Sequence, residues 1–138
     1  MQRKLFVCSK AMPVDGKEGY FPRLIGILTE LEPADGFKRP GVYQFEYKTG
    51  GSFPEWYLQL ADLPDANKIY GNEYLYWFLS RYLPTSDFKY LKLSLKSIGL
   101  KKYDEWACLV AFGPRNAHQD HYLYENLPEG TICYEPVE

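Results

Sequence analysis

Two short clusters in this chain hold the residue types that catalysis and metal binding use. His118 and His121 flank Asp120 in the run HQDH. A metal shared by two imidazoles needs a further ligand and a supporting shell of hydrogen bonds. There is no other His and no obvious carboxylate motif, so a solvated loop leading into a strand is the simpler reading. Asp104 and Glu105 form the second cluster, a carboxylate pair. They open a helical pattern, where an N-cap and a first-turn acid are explained by helix electrostatics. A small enzyme built on Asp104, Glu105 or His121 would need a deep pocket with convergent, pKa-shifted groups.

Nucleophile and phosphate chemistry find no better footing. Cys8, Cys108 and Cys133 are widely spaced, lie in strand or helix patterns and have no Gly-flanked elbow. No CxxC occurs, so zinc is not expected and reduced, buried thiols are the simplest account. Neither GxxxxGK[ST] nor GxGxxG is present, so nothing in the sequence cradles a phosphate. The expectation is a non-enzymatic protein with no catalytic residue, no metal and no cofactor.

Bulk properties narrow the partner class. The net charge of −2 argues against direct nucleic-acid binding. The 13 Tyr and three Trp suit both a core and a contact surface, because each ring buries area and keeps a polar tip. No run approaches the ~20 apolar residues of a membrane helix. The apolar run Leu5 to Cys8 is too short for a signal-peptide core. These features predict a full-length cytoplasmic protein of one domain, residues 1–138.

The elements that must position any site are legible as patterns. Lys4 to Ser9 reads as a strand and Ala11 to Gly19 as a loop. Arg23 to Glu30 reads as a buried strand in which Gly26 marks a bulge or a close backbone approach. Gly41 to Lys48 alternates with period two, placing Tyr43, Phe45 and Tyr47 on one inner face. These last two are expected to pair antiparallel across the turn-rich Leu31 to Pro40. Ser52 to Leu60 could open a helical turn.

Three helical patterns then follow in the aromatic stretch Ile69 to Gly113. The first starts with Asn72 as cap and runs to about Leu83, with Tyr74, Leu75, Phe78, Leu79 and Tyr82 inward. Trp77 and Arg81 fall on its outer side, four apart, where a cation–π stack can form. The second, capped by Thr85 or Ser86 with Asp87 in its first turn, carries the stripe Phe88, Leu91, Leu95 and Ile98 and stops at Gly99. Its Lys89, Lys92 and Lys96, with Lys101 and Lys102 beyond, read as a solvated face or a patch for an acidic partner. Asp104 caps the third, which ends at Gly113-Pro114 with Trp106, Leu109 and Val110 apolar. Two short strands, His121 to Glu125 and Thr131 to Glu135, close the chain.

The order of these pieces resembles the N-terminal domain of HipA-type kinases. GILTE and VYQFEYK followed by PEW are similar to that family's opening strands and Trp-Leu step. Ala61 to Pro64 (ADLP) and Tyr74 to Pro84 (YLYWFLSRYLP) resemble its segments ending in Leu-Pro. Asp104 to Gly113 (DEWACLVAFG) looks like its short helix Asp-x-x-x-x-Leu-x-x-x-Gly, and Leu127 to Gly130 (LPEG) like its closing turn. The Gly-Ala pair before the family's last strand is replaced by Gln119-Asp120-His121. HipA kinases continue into a large ATP- and magnesium-binding core, for which this chain has no segment. The resemblance therefore implies a free-standing domain similar to the HipS proteins of three-part toxin–antitoxin systems.

The fold expected is α+β, a small antiparallel β-sheet packed against about three α-helices. The resemblance implies an antitoxin-like inhibitor of a HipT-type serine/threonine kinase, with a HipB-like DNA-binding protein in the same system. Trp56, Trp77, Arg81, Asp104 and Glu105 are the expected partner-binding residues, the aromatics and Arg as anchors and the acids as complements to a basic surface. The alternative is an immunity or anti-defence protein neutralising an unrelated nuclease toxin.

Overall fold

Leu5, Phe6, Val7 and Cys8 have side chains pointing alternately to two sides, and all four are buried. They form β1 (Lys4–Ser9), which therefore needs cover on both faces. The computed structural model describes residues 2–51, 63–84, 88–115 and 121–136. After β1, β2 (Met12–Pro13), inside the expected loop Ala11 to Gly19, pairs with β3 (Tyr20–Phe21), just beyond it, as a small ribbon. β4 (Leu24–Glu32) and β5 (Val42–Tyr47) are antiparallel neighbours, as their patterns predicted. β6 (Ile69–Tyr70), α1 (Asn72–Ser80), α2 (Phe88–Ser97), α3 (Glu105–Phe112), a 3-10 turn (Gly113–Arg115) and β7 (His121–Tyr124) complete the described elements. The main sheet is antiparallel throughout, with the order β6-β5-β4-β1-β7, so the architecture is α+β.

A bulge explains the imperfect alternation of β4. Val7 pairs with Gly26 but Cys8 pairs with Leu24, so Ile25 is the extra residue. The shift lets Ile25 and Leu28 join the large cluster on the helix side while Leu24 joins Phe6 and Cys8 on the opposite face. That second face is covered by Ile27, Tyr124 and Leu127. Gly26 also sits under the ring of Phe45. A Cβ there would lie 2.5 Å from Phe45 Cζ and 2.6 Å from the Glu46 carbonyl oxygen.

The core is aromatic on the helix side. Tyr43, Phe45 and Tyr47 are buried, and Phe78 of α1 meets Phe45 edge to face at 6.2 Å. Each fully buried side chain of this size contributes roughly 1.5–3 kcal/mol. The buried phenols keep partners: Tyr47 donates to the Leu63 carbonyl at 2.5 Å and Tyr82 to the His121 carbonyl at 2.7 Å.

The helices depart from the sequence reading in detail. α1 ends at Ser80 rather than Leu83, and its cap position is Gly71, with no side-chain cap bond. Tyr74, expected inward, is 38% exposed; its ring stands edge-on to Tyr70 at 5.3 Å with the Lys68 ammonium 4.2 Å above it. In α2, Leu95 is buried and Leu91 and Ile98 are half-buried. The side chain of Phe88 and the predicted cap at 85–87 lie outside the described residues, as does the helical turn at 52–60. α3 is capped as expected, Asp104 Oδ1 accepting from the Ala107 N–H at 3.0 Å. The last predicted strand reduces to one bridge, Ile132 with Arg23. Among the described residues, no helix is long and apolar enough to cross a membrane.

Candidate functional site

The first turn of α3 places two adjacent carboxylates in opposite situations. Asp104, in extended backbone geometry at the cap, stays exposed and satisfies its own helix. Glu105, one residue on, turns inward and is 8% exposed. Its Oε2 accepts from the Gly41 N–H at 2.8 Å and from the Tyr43 hydroxyl at 2.5 Å. Glu105, expected as an acid complementing a basic partner surface, thus has its Oε2 engaged inside the fold.

Asn72 clamps the same backbone from the other side. Its Oδ1 accepts from the Tyr43 N–H at 2.6 Å and its Nδ2 donates to the Gly41 carbonyl at 2.7 Å. The side chain thus behaves as a strand partner for the entry to β5, and this is why it does not cap α1. Gly41 admits the arrangement, because a Cβ there would lie 2.7 Å from Glu105 Oε2 and 2.6 Å from the Tyr43 oxygen. Burial and the bond to Glu105 hold the Tyr43 phenol well above its ordinary titration range, so it stays a donor.

A groove of about 330 Å3 opens over this cluster. Glu105, Asn72 and Tyr43 give it a polar floor, and Pro40, Tyr76, Leu79 and Leu83 give it apolar walls. A second cavity, about 210 Å3, also reaches Glu105 and is bordered by Arg3, Glu30, Tyr103 and Trp106. Within it the Arg3 guanidinium binds Glu30 through two bonds of 2.8 Å and lies 4.9 Å from the Trp106 ring centre. At its rim Phe37 stacks on Tyr103 with centroids 4.0 Å apart.

At the groove's edge, α1 presents aromatic rings to solvent. Tyr76 is 67% and Trp77 66% exposed, and the two rings meet edge to face at 5.1 Å. No family model matches the chain, and no curated protein or solved structure does either. The assignment of function therefore stands on these residues and on the pattern of motifs.

The remaining expected residues are dispersed. Arg81 is exposed just past α1, close in sequence to Trp77. Asp104 is exposed at the start of α3, and Trp56 lies outside the described residues. His121 is buried in β7, and among the described residues no group of three or more His, Cys, Asp or Glu could hold a metal ion. Cys8 and Cys108 are buried, whereas Cys133 is exposed, contrary to the expectation that all three sit inside. Sequence reasoning missed the Gly41–Asn72–Glu105 cluster. Its only local signal was a glycine at the mouth of a strand, unremarkable after a proline.

Proposed function

We propose that this protein is a non-enzymatic binding module that docks on a protein partner and restrains it. The observation that carries this reading is the Tyr76–Trp77 pair on the outer face of α1. Large rings left in water on a rigid helix, beside a groove and an exposed Arg, have the composition and placement of binding hot spots. The order of strand, loop and helix motifs supports the more specific form: a HipS-like antitoxin that inhibits a HipT-type kinase in the cytoplasm, alongside a HipB-like DNA-binding protein. Trp77 and Arg81 supply anchors in this reading, with Asp104 as an exposed acid at the rim.

The deciding experiment is affinity capture from the native host with wild-type protein and the Trp77→Ala variant, bound proteins being identified by mass spectrometry. Recovery of a HipT-like kinase by the wild type and its loss in the variant is the expected result. Recovery of a nuclease toxin would replace this reading with that of an immunity protein.

A further inference from the structure

We propose that the groove between β5 and α1 is a receptor for an organic cation: a guanidinium or primary ammonium on a short apolar stem. The inference deepens the binding-module reading, and rests on it only for the source of that cation, an Arg or Lys side chain inserted by the partner.

The charge on Glu105 is the starting point. Both groups bound to its Oε2, the Gly41 N–H and the Tyr43 hydroxyl, are neutral. Among the described residues no hydrogen bond reaches its Oε1, and the residue lines the groove. No ion pair reaches Glu105 among the described residues. Arg3, which shares the second cavity with it, already gives its two bonds to Glu30. A largely buried carboxylate whose described partners are all neutral is a ready acceptor for a cation with hydrogen-bond donors.

The walls select the rest of the ligand. Tyr76, Leu79 and Leu83 line the groove with carbon, which fits a methylene stem. The exposed Tyr76 ring adds an aromatic surface that attracts a cation. At about 330 Å3 the space is at the small end of ligand pockets, suited to one side chain rather than a nucleotide. The site is also held in shape before any ligand arrives, because Asn72 and Glu105 both fix the backbone at Gly41 to Tyr43.

The test is a titration of the whole protein, followed by amide NMR, with N-acetyl-arginine methylamide and, as the neutral control, N-acetyl-norleucine methylamide. Saturable shifts at Gly41, Tyr43 and Tyr76 with the arginine probe alone are expected, with a Kd on the order of millimolar. Glu105→Gln should weaken the probe roughly tenfold, the scale of one hydrogen bond to a charged group. Tyr76→Ala, whose side chain is exposed and so leaves the fold intact, should weaken it several-fold. Equal response to both probes, or none at these residues, overturns the site. Affinity capture separates the two readings. A partner retained equally by wild type and Tyr76→Ala, with no probe binding, overturns the site and keeps the module. Probe binding without any captured protein keeps the site and makes free amines or guanidines its ligands.

Discussion

The Glu105 carboxylate on α3 holds the backbone N–H of Gly41 at 2.8 Å, across 64 residues of sequence. The bond ties the entry of β5 to the first turn of a helix from the far half of the chain. Weakening it by Glu105→Gln, which keeps the shape and one neutral acceptor oxygen, should cost about 1 kcal/mol. Glu105→Ala, which leaves the Gly41 N–H and the Tyr43 hydroxyl without their acceptor, should cost about 2–3 kcal/mol. Urea midpoints at constant slope would check both values. Equal stability of the two variants would show that the bond does not organise this corner.

Gly41→Ala should destabilise the fold by about 1–3 kcal/mol, because its Cβ would press on Glu105 Oε2 and the Tyr43 oxygen. Combined with Glu105→Ala the penalty should be less than additive, since one of the two clash partners is gone while the Tyr43 oxygen remains. A double-mutant cycle in urea reads the difference directly.

Trp77→Ala and Arg81→Ala should change stability by less than about 0.5 kcal/mol, because both residues are exposed. Their effect on partner binding should be about 2 kcal/mol or more if they are hot spots. Thermal melts and isothermal titration with the captured partner make the comparison. Loss of melting temperature with unchanged affinity would assign the rings to packing instead.

The thiols should separate by reactivity. Cys133 should be alkylated in the native protein at mildly alkaline pH, and Cys8 and Cys108 only after unfolding. Burial pushes the Cys8 thiol up to about 12, with nearby Cys133 a smaller cause, and burial pushes Cys108 up to about 11. Both folded values lie above the unfolded value of about 8.5. Their contribution is therefore fully present below that pH and is lost as pH rises through the folded values. Unfolding free energy should fall from about pH 8.5 towards 12, with the buried phenols of Tyr43, Tyr82 and Tyr103 acting in the same direction. Melting temperatures measured across that range, with mass-spectrometric mapping of alkylated cysteines, check both statements.

Local pattern and long-range geometry were legible to different degrees. The alternation of Tyr43, Phe45 and Tyr47 announced the inner face of β5, and Asp104 announced its helix, because both signals lie within a few residues. Lys4 to Ser9 has the same limits in the structure as in the sequence reading. Asn72 has the sequence signature of a cap, because capping is the local option of an Asn before a helix, yet the cap position is Gly71. Its actual partners, Gly41 and Tyr43, come from a strand about thirty residues earlier. Glu105 likewise shows locally only as a first-turn acid, while its partner Gly41 lies 64 residues earlier. The ribbon at Met12–Pro13 and Tyr20–Phe21 has strands too short to show any period. Tyr74 was placed inward by helical spacing, but Lys68 and Tyr70 hold its ring at the boundary with water.

The order of the main sheet has a consequence for how the chain reaches its native state. β1 lies between β4 and β7, pairing Ser9 with His121 near opposite ends of the described chain. During synthesis β4 can dock on β1 early, but the other edge of β1 stays open until β7 emerges. For that interval its backbone donors and acceptors form a template for foreign strands, flanked by Phe6 and Cys8 without the cover of Tyr124 and Leu127. The nascent protein is thus exposed to self-association through this edge until β7 pairs with it.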